Sequence, residues 1–261
     1  MDETTQWIRL EGAVNTREVA GMSASDGRTV QRRRLLRSDS LHALTDADVA
    51  LLVGHYDVTT VVELRDADET RLEKPCPLQS HPGVSFLRTP MLARPPTSPN
   101  ASIDADTVLR EVPDSSGKSP YWRYLTQRPA SIVSAMKSIA EASGAAIVNC
   151  AAGKDRTGLV VAFALVEVGV GEDDAVADYM ASASRVRLVL ERLGNSATYG
   201  PSLAGRSVES YTPRPELLGD VLSGLRAQYG GLHGWLAKYG WGSCDRTRLR
   251  DKLLEPSQAT T

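Results

Sequence analysis

Ala145-Ala146-Ile147-Val148-Asn149-Cys150-Ala151-Ala152-Gly153-Lys154-Asp155-Arg156-Thr157-Gly158 is the stretch that decides the fold. Its first five residues are a short apolar run with the length of a buried strand. A loop of small and polar residues follows. Leu159 to Val168 (LVVAFALVEV) then reads as a buried helix. Strand, tight loop and helix N-terminus in that order favour a bound anion, because the first turn of a helix has unpaired N–H groups and the positive end of the dipole.

Three side chains turn an anion site into a reactive one. Cys150 ends the strand, and a thiolate is favoured beside a helix N-terminus and a cation. Arg156 begins the helix, and its planar fork can hold two phosphate oxygens and the charge that develops on them. Thr157 can bring a hydroxyl to the sulfur. Ala151, Ala152, Gly153 and Lys154 are small or polar enough to let the backbone wrap a tetrahedral anion. A Walker loop would need Gly at Val148 and Ser or Thr at Asp155, so it fails twice. The plainer reading is a buried structural cysteine beside a solvated charge run; the joint pattern argues against it. A rhodanese-like or arsenate-reducing sulfur enzyme shares the reactive cysteine but does not require Arg156 followed by Thr157.

Cysteine, five residues, then Arg and Thr is the signature of cysteine-dependent phosphatases. AGKDRTG after a cysteine resembles the atypical tyrosine-phosphatase-like family of bacteria and fungi, the group that includes mycobacterial secreted phosphatases of the B type. Gly12-Ala13-Val14-Asn15-Thr16-Arg17-Glu18, Leu36-Arg37-Ser38-Asp39-Ser40-Leu41, Glu63-Leu64-Arg65-Asp66, Ala177-Asp178-Tyr179 and Tyr229-Gly230-Gly231-Leu232 are similar to further segments of that family, in its order. The resemblance implies a cysteinyl-phosphate mechanism with Cys150 as nucleophile, Asp155 as general acid, Arg156 on the phosphate and Thr157 helping the sulfur depart. It also implies a place for Arg17 near the phosphate loop. Three positions depart from the pattern: Asn149 where His is usual, Glu63 where Asp is usual, and Met91 where relatives often carry an acid.

The expected fold is α/β: a central, mostly parallel sheet flanked by helices, cysteine-dependent phosphatase-like, with a lid insertion. One phosphatase-like domain is expected over 1–255, with a frayed tail over 256–261. Thr45 caps a helix that Gly54 ends, and Val58 to Leu64 is β-branched enough for an interior parallel strand. Asp66 then lies at the strand's carboxyl end, where ligands bind in open α/β sheets. It is a substrate-binding candidate and second choice as acid, or else the cap of a helix beginning at Ala67. Residues 91–120 are broken by Pro95, Pro96, Pro99, Pro113, Gly117 and Pro120, which predicts a mobile lid or substrate-recognition insert rather than a passive loop. Gly194 to Pro213 reads as loop, and Lys154 is placed at the mouth of the site or facing solvent.

In 261 residues, 30 Lys and Arg against 32 Asp and Glu give a net charge of −2. That gives no general attraction to nucleic acid or to an acidic membrane. Cys76, Cys150 and Cys244 are too few and too scattered for a disulfide framework, and no apolar run follows Met1-Asp2-Glu3-Thr4, so a cytoplasmic protein is expected. His42, His55, His81 and His233 lack metal-ligand spacing. No metal or cofactor is expected. The partner is a phosphorylated small molecule or phosphotyrosine, and the oligomeric state stays open. The expected activity is metal-independent hydrolysis of a phosphate monoester, on phosphotyrosine or on a nucleotide or sugar phosphate. The alternative is a phosphate-binding pseudophosphatase.

Overall fold

A computed structural model describes residues 5–92, 119–203 and 205–256. Its sheet contains β1 (Arg17–Glu18), β2 (Leu35–Ser38), β3 (Val58–Glu63), β4 (Ser85–Arg88) and β5 (Ala145–Asn149). The spatial order is β1-β2-β5-β3-β4. Only β1 runs antiparallel to its neighbour; the β2, β5, β3 and β4 pairings are parallel. The strand that leads into Cys150, β5, is therefore central, with β2 and β3 on either side.

Strand alternation sorts the core into two faces. Ala146, Val148 and Cys150 pack with one cluster, while Ala145 and Ile147 pack with the other. The first face is covered by α4 (Pro129–Glu141), α5 (Asp155–Val168) and α12 (Ser243–Leu253). Ile132, Met136, Leu159, Phe163 and Leu249 fill that side. The second is covered by Ile8, Leu41, Leu44 and Leu52, the last from the helix that starts with α1 (Asp46–Ala50). Each fully buried Leu or Val contributes about 1.5–3 kcal/mol against leaving it in water, so two covered faces make a firm base for the strand ends.

Most local expectations hold. Thr45 caps α1 through a reciprocal pair with Asp48. Asp66 caps α2 (Ala67–Thr70) in the same way with Glu69. Pro129 separates α3 (Trp122–Gln127) from α4 at the first position of the second helix, where its missing N–H has no cost. Others need correction. Gly54 does not end the first helix, which continues in wider turns through Leu51–His55. The 194–213 stretch is not loop throughout: it contains α8 (Gly200–Leu203) and α9 (Val208–Tyr211), beyond α6 (Glu172–Ala181) and α7 (Val186–Gly194). Ser207 caps α9 by accepting from the Ser210 N–H, a signal present in the sequence. α10 (Pro215–Tyr229) and α11 (Leu232–Lys238) complete the C-terminal part before α12. Of the expected lid, 93–118 lie outside the described residues, as do 257–261 of the expected tail. Met91 is fully buried in the core. No helix among the described residues is long and apolar enough to cross a membrane.

Candidate active site

The strands place the site. In the parallel register Asn149 faces Ser38 of β2 on one side and Glu63 of β3 on the other. All three strands thus end at one edge, and Cys150 leaves the middle of it. The chain from Cys150 to Lys154 then turns back into α5.

The carbonyl groups of Ala151, Ala152, Gly153 and Lys154 are each held from outside. Ala151 O accepts from the Ser40 N–H at 3.0 Å. Ala152 O accepts from Asn15 Nδ2 at 2.9 Å. Arg37 Nη2 donates to Gly153 O at 2.8 Å and to Lys154 O at 3.3 Å. A trans peptide points its N–H opposite to the preceding C=O, and no cis bond occurs among the described residues. The N–H groups of Ala152, Gly153, Lys154 and Asp155 therefore turn into the loop. No side chain caps the N-terminus of α5, so its first donors stay available as well. Gly153 makes this turn possible: its φ is +66°, and a Cβ there would lie 2.5 Å from the backbone of Ser38 and Asp39.

Arg156 is 3% exposed and grips Glu69 in a two-bond fork, Nη1 to Oε2 at 2.8 Å and Nη2 to Oε1 at 2.9 Å. Tyr199 adds a hydroxyl donor to Glu69 Oε1 at 3.0 Å, and the Asp66 N–H donates to Oε2. Burial works against the Arg156 charge, but Glu69 and then Cys150 hold the guanidinium well above its ordinary value. Burial likewise opposes the Glu69 carboxylate, and Arg156 more than offsets it, keeping that carboxyl low. Glu69 is the main residue that reading the sequence missed. Asp66-x-x-Glu69 has the form of a capping box, but its partner is 87 positions away.

Asn149 Nδ2 donates to Glu63 Oε2 at 3.0 Å. Two of the three departures from the family pattern are thus one contact. Glu63 also takes Arg65 in a fork, Nε to Oε1 at 2.9 Å and Nη2 to Oε2 at 2.8 Å, and His42 Nε2 is 3.6 Å from Oε2. Burial opposes the charge on Glu63, yet Arg65 and these hydrogen bonds keep the carboxyl far below its usual range.

Several expected roles change. Arg17 is fully buried, but it faces Asp178 rather than the loop: Nε donates to Asp178 Oδ1 at 3.1 Å and Nη1 to Asn15 Oδ1 at 3.1 Å. Burial and the neighbouring Arg37 lower its pKa to about 10, against the pull of Asp178. Asp178 also pairs with Arg37, so Arg17 acts on the loop at second hand. Lys154 is not at an open mouth. It is 2% exposed, its Nζ donates to Tyr211 O at 2.6 Å, and it lies 3.9 Å from the centre of the Tyr211 ring. Asp66 spends a carboxylate oxygen on the Glu69 N–H at 2.8 Å, which is the capping alternative.

Asp155 stands in the first turn of α5, accepts a hydrogen bond from the Tyr121 hydroxyl, and has Lys154 Nζ 3.7 Å from the same oxygen. Thr157 Oγ1 is buried without a hydrogen-bond partner among the described residues. Cys150 is 2% exposed. Of the other thiols, Cys76 is buried and pushed up to about 11, chiefly by that burial, so it stays protonated at neutral pH.

A thiol at the central strand's end, inside a loop of inward N–H groups closed by a buried arginine, is the arrangement of a cysteine-based phosphatase. The chain belongs to the tyrosine phosphatase family: the family model described as "Tyrosine phosphatase family" matches residues 8–255. It is 27% identical over 227 residues to a tyrosine-protein phosphatase of Nostoc commune, covering 84% of this chain and 73% of the relative. It is also 27% identical over 278 residues to the triple specificity protein phosphatase PtpB of Mycobacterium tuberculosis, covering 94% and 98%. The protein is therefore a phosphatase of the class whose chemistry runs without a metal.

Proposed function

We propose that the protein hydrolyses phosphate monoesters through a phosphorylated Cys150, with phosphotyrosine as the favoured substrate. The observation that carries this reading is the outward tie of the carbonyls of Ala151, Ala152, Gly153 and Lys154. It leaves a concave row of N–H groups for three phosphate oxygens, with Arg156 completing the charge. Both relatives are named for protein phosphatase activity, one of them on tyrosine, which favours phosphotyrosine over a nucleotide or sugar phosphate.

In the first step Cys150 Sγ attacks phosphorus in line. The S–P bond forms while the bond to the leaving oxygen breaks. That oxygen takes its proton from Asp155, the only carboxyl group within the loop itself. In the second step water attacks phosphorus, the S–P bond breaks, and the water's proton returns to Asp155. Thr157 Oγ1, buried and without a hydrogen-bond partner among the described residues, can donate to the departing thiolate. Met91 lies in the core and Asp66 caps α2, so neither competes well for the acid role.

The test is phosphate release from phosphotyrosine peptide, phosphoserine peptide, phosphoinositides, nucleoside monophosphates and sugar phosphates, each with EDTA and beside Cys150→Ser. Release that survives EDTA and vanishes in the variant is expected, greatest with phosphotyrosine. Vanadate binding with no release from any member would overturn the reading and leave a phosphate-binding pseudophosphatase.

A further inference from the structure

Tyr121 and Tyr179 form a buried pair beside the loop that the steps above do not use. Their hydroxyl oxygens are 2.8 Å apart, with the rings edge to face at 6.3 Å between centroids. Tyr121 is 2% exposed and Tyr179 not at all. The contact from Tyr121 to Asp155 falls on Oδ1, and so does the approach of Lys154 Nζ at 3.7 Å.

The pair is wedged between α5 and α10. Gly158 of α5 has no Cβ, and one built there would lie 2.6 Å from the Tyr179 ring. Tyr179 therefore packs against the backbone of the helix that begins with Asp155. On the other side, Ser119 Oγ donates to Leu217 O at 2.7 Å and accepts from the Tyr121 N–H at 3.4 Å. The next residue, Trp122, lies over Gly224 of α10, where a Cβ would be 2.4 Å from its ring. Neither phenol can swing away without disturbing packed backbone.

We infer that Tyr121, steadied by Tyr179, is the positioning residue that holds Asp155 with Oδ2 toward the leaving oxygen. The inference rests on the reading of Asp155 as the general acid. Its chemistry is simple. When Asp155 is protonated on Oδ2, Oδ1 is a carbonyl oxygen and accepts from Tyr121. When Asp155 has given up that proton, Oδ1 is part of a carboxylate and still accepts from Tyr121. One hydrogen bond thus keeps one orientation through both halves of the cycle, and the proton moves only at Oδ2. Burial, and then the nearby Asp155, keep the Tyr121 phenol neutral, so it remains a donor throughout.

The experiment compares kcat/KM for phenyl phosphate, whose leaving group needs a proton, with that for 2,4-dinitrophenyl phosphate, whose leaving group does not. It uses the full chain and the variants Tyr121→Phe, Tyr179→Phe and Asp155→Asn. General acid catalysis contributes about 10²–10⁴-fold, so Asp155→Asn should lose about that factor on phenyl phosphate and little on the dinitrophenyl ester. Tyr121→Phe should lose on the order of tenfold on phenyl phosphate alone, a fraction of the full acid contribution. Tyr179→Phe should lose less, in the same sense, and provides the same readout if Tyr121→Phe fails to fold. Equal losses on both esters, or none, in the tyrosine variants would overturn the positioning role while leaving the acid in place. Equal losses in Asp155→Asn would overturn the acid assignment and the inference with it.

Discussion

The phosphate loop has two flanks, each built on a buried arginine–carboxylate cluster, and they do different things. On the β3–α2 flank, Glu69 holds Arg156, the cation that closes the loop. On the β1–β2–α6 flank, Asp178 holds Arg17 and Arg37, and Arg37 reaches only carbonyl oxygens of the loop. One flank presents a cation to the anion. The other turns the backbone so that its N–H groups face inward. A buried guanidinium is costly unless paired, so both needed a carboxylate. What separates their roles is whether the remaining N–H groups meet a substrate or a peptide.

The sharpest way to break this contrast is to remove each anchor in turn. Asp178→Ala leaves Arg17 and Arg37 buried without their carboxylate, and stability should fall by about 3–5 kcal/mol, read from urea midpoints. A loss below about 1 kcal/mol, the range of an exposed pair, would end the bracing role of that flank. Arg156→Lys keeps the charge but not the fork. It should lower kcat/KM by about 10²–10³-fold, as when an oxyanion donor is lost, with a much smaller shift in urea midpoint than Asp178→Ala. If the two variants lost activity and stability in the same proportion, the flanks would not be distinct.

Smaller effects sharpen the picture. Gly158→Ala drives a methyl into Tyr179, an overpacking that should cost about 1–3 kcal/mol. Acid titration tests both anchors together. Glu69 and Asp178 are opposed by burial but held below their ordinary values by the arginines beside them. A folded carboxyl lower than its unfolded counterpart binds fewer protons. Its stabilisation is therefore complete above the unfolded range near pH 4 and drains away as pH falls through the folded value. Glu69→Gln should flatten that acid limb of the urea-midpoint profile; an unchanged slope would mean that Glu69 is not ionised in the folded state.

Much of the site was legible because it is local. Cys150, Arg156 and Thr157 sit on one turn, and the requirements of an anion-binding helix N-terminus are written in consecutive residues. The same holds for Thr45 and Asp66 as caps, since the cap and its partner are three positions apart. What escaped was the far partner of each charged group. Arg17 was expected near the loop, as a structural residue or a phosphate-binding candidate, and the loop contact from its segment is made by Asn15. Lys154 was expected at the mouth of the site or facing solvent, and only α9 folding over it brings Tyr211 O within reach of its Nζ. Asn149 and Glu63 looked like two separate losses until the register of β5 with β3 set them side by side.

The sequence alone determined the strand–loop–helix unit, the cysteine and arginine that the proposed function uses, and the apolar run that makes β5 a buried strand. Those follow from short-range rules: a short apolar run between turn residues, unpaired N–H groups at a helix start, and the chemistry of a thiol beside a cation. Only the tertiary structure decided which carboxylate holds which arginine, which way the loop carbonyls turn, and that two tyrosines from distant segments meet beside Asp155. A buried charge accepts any opposite charge that packing brings within reach, and it is the sheet order, not the local sequence, that sets what comes within reach.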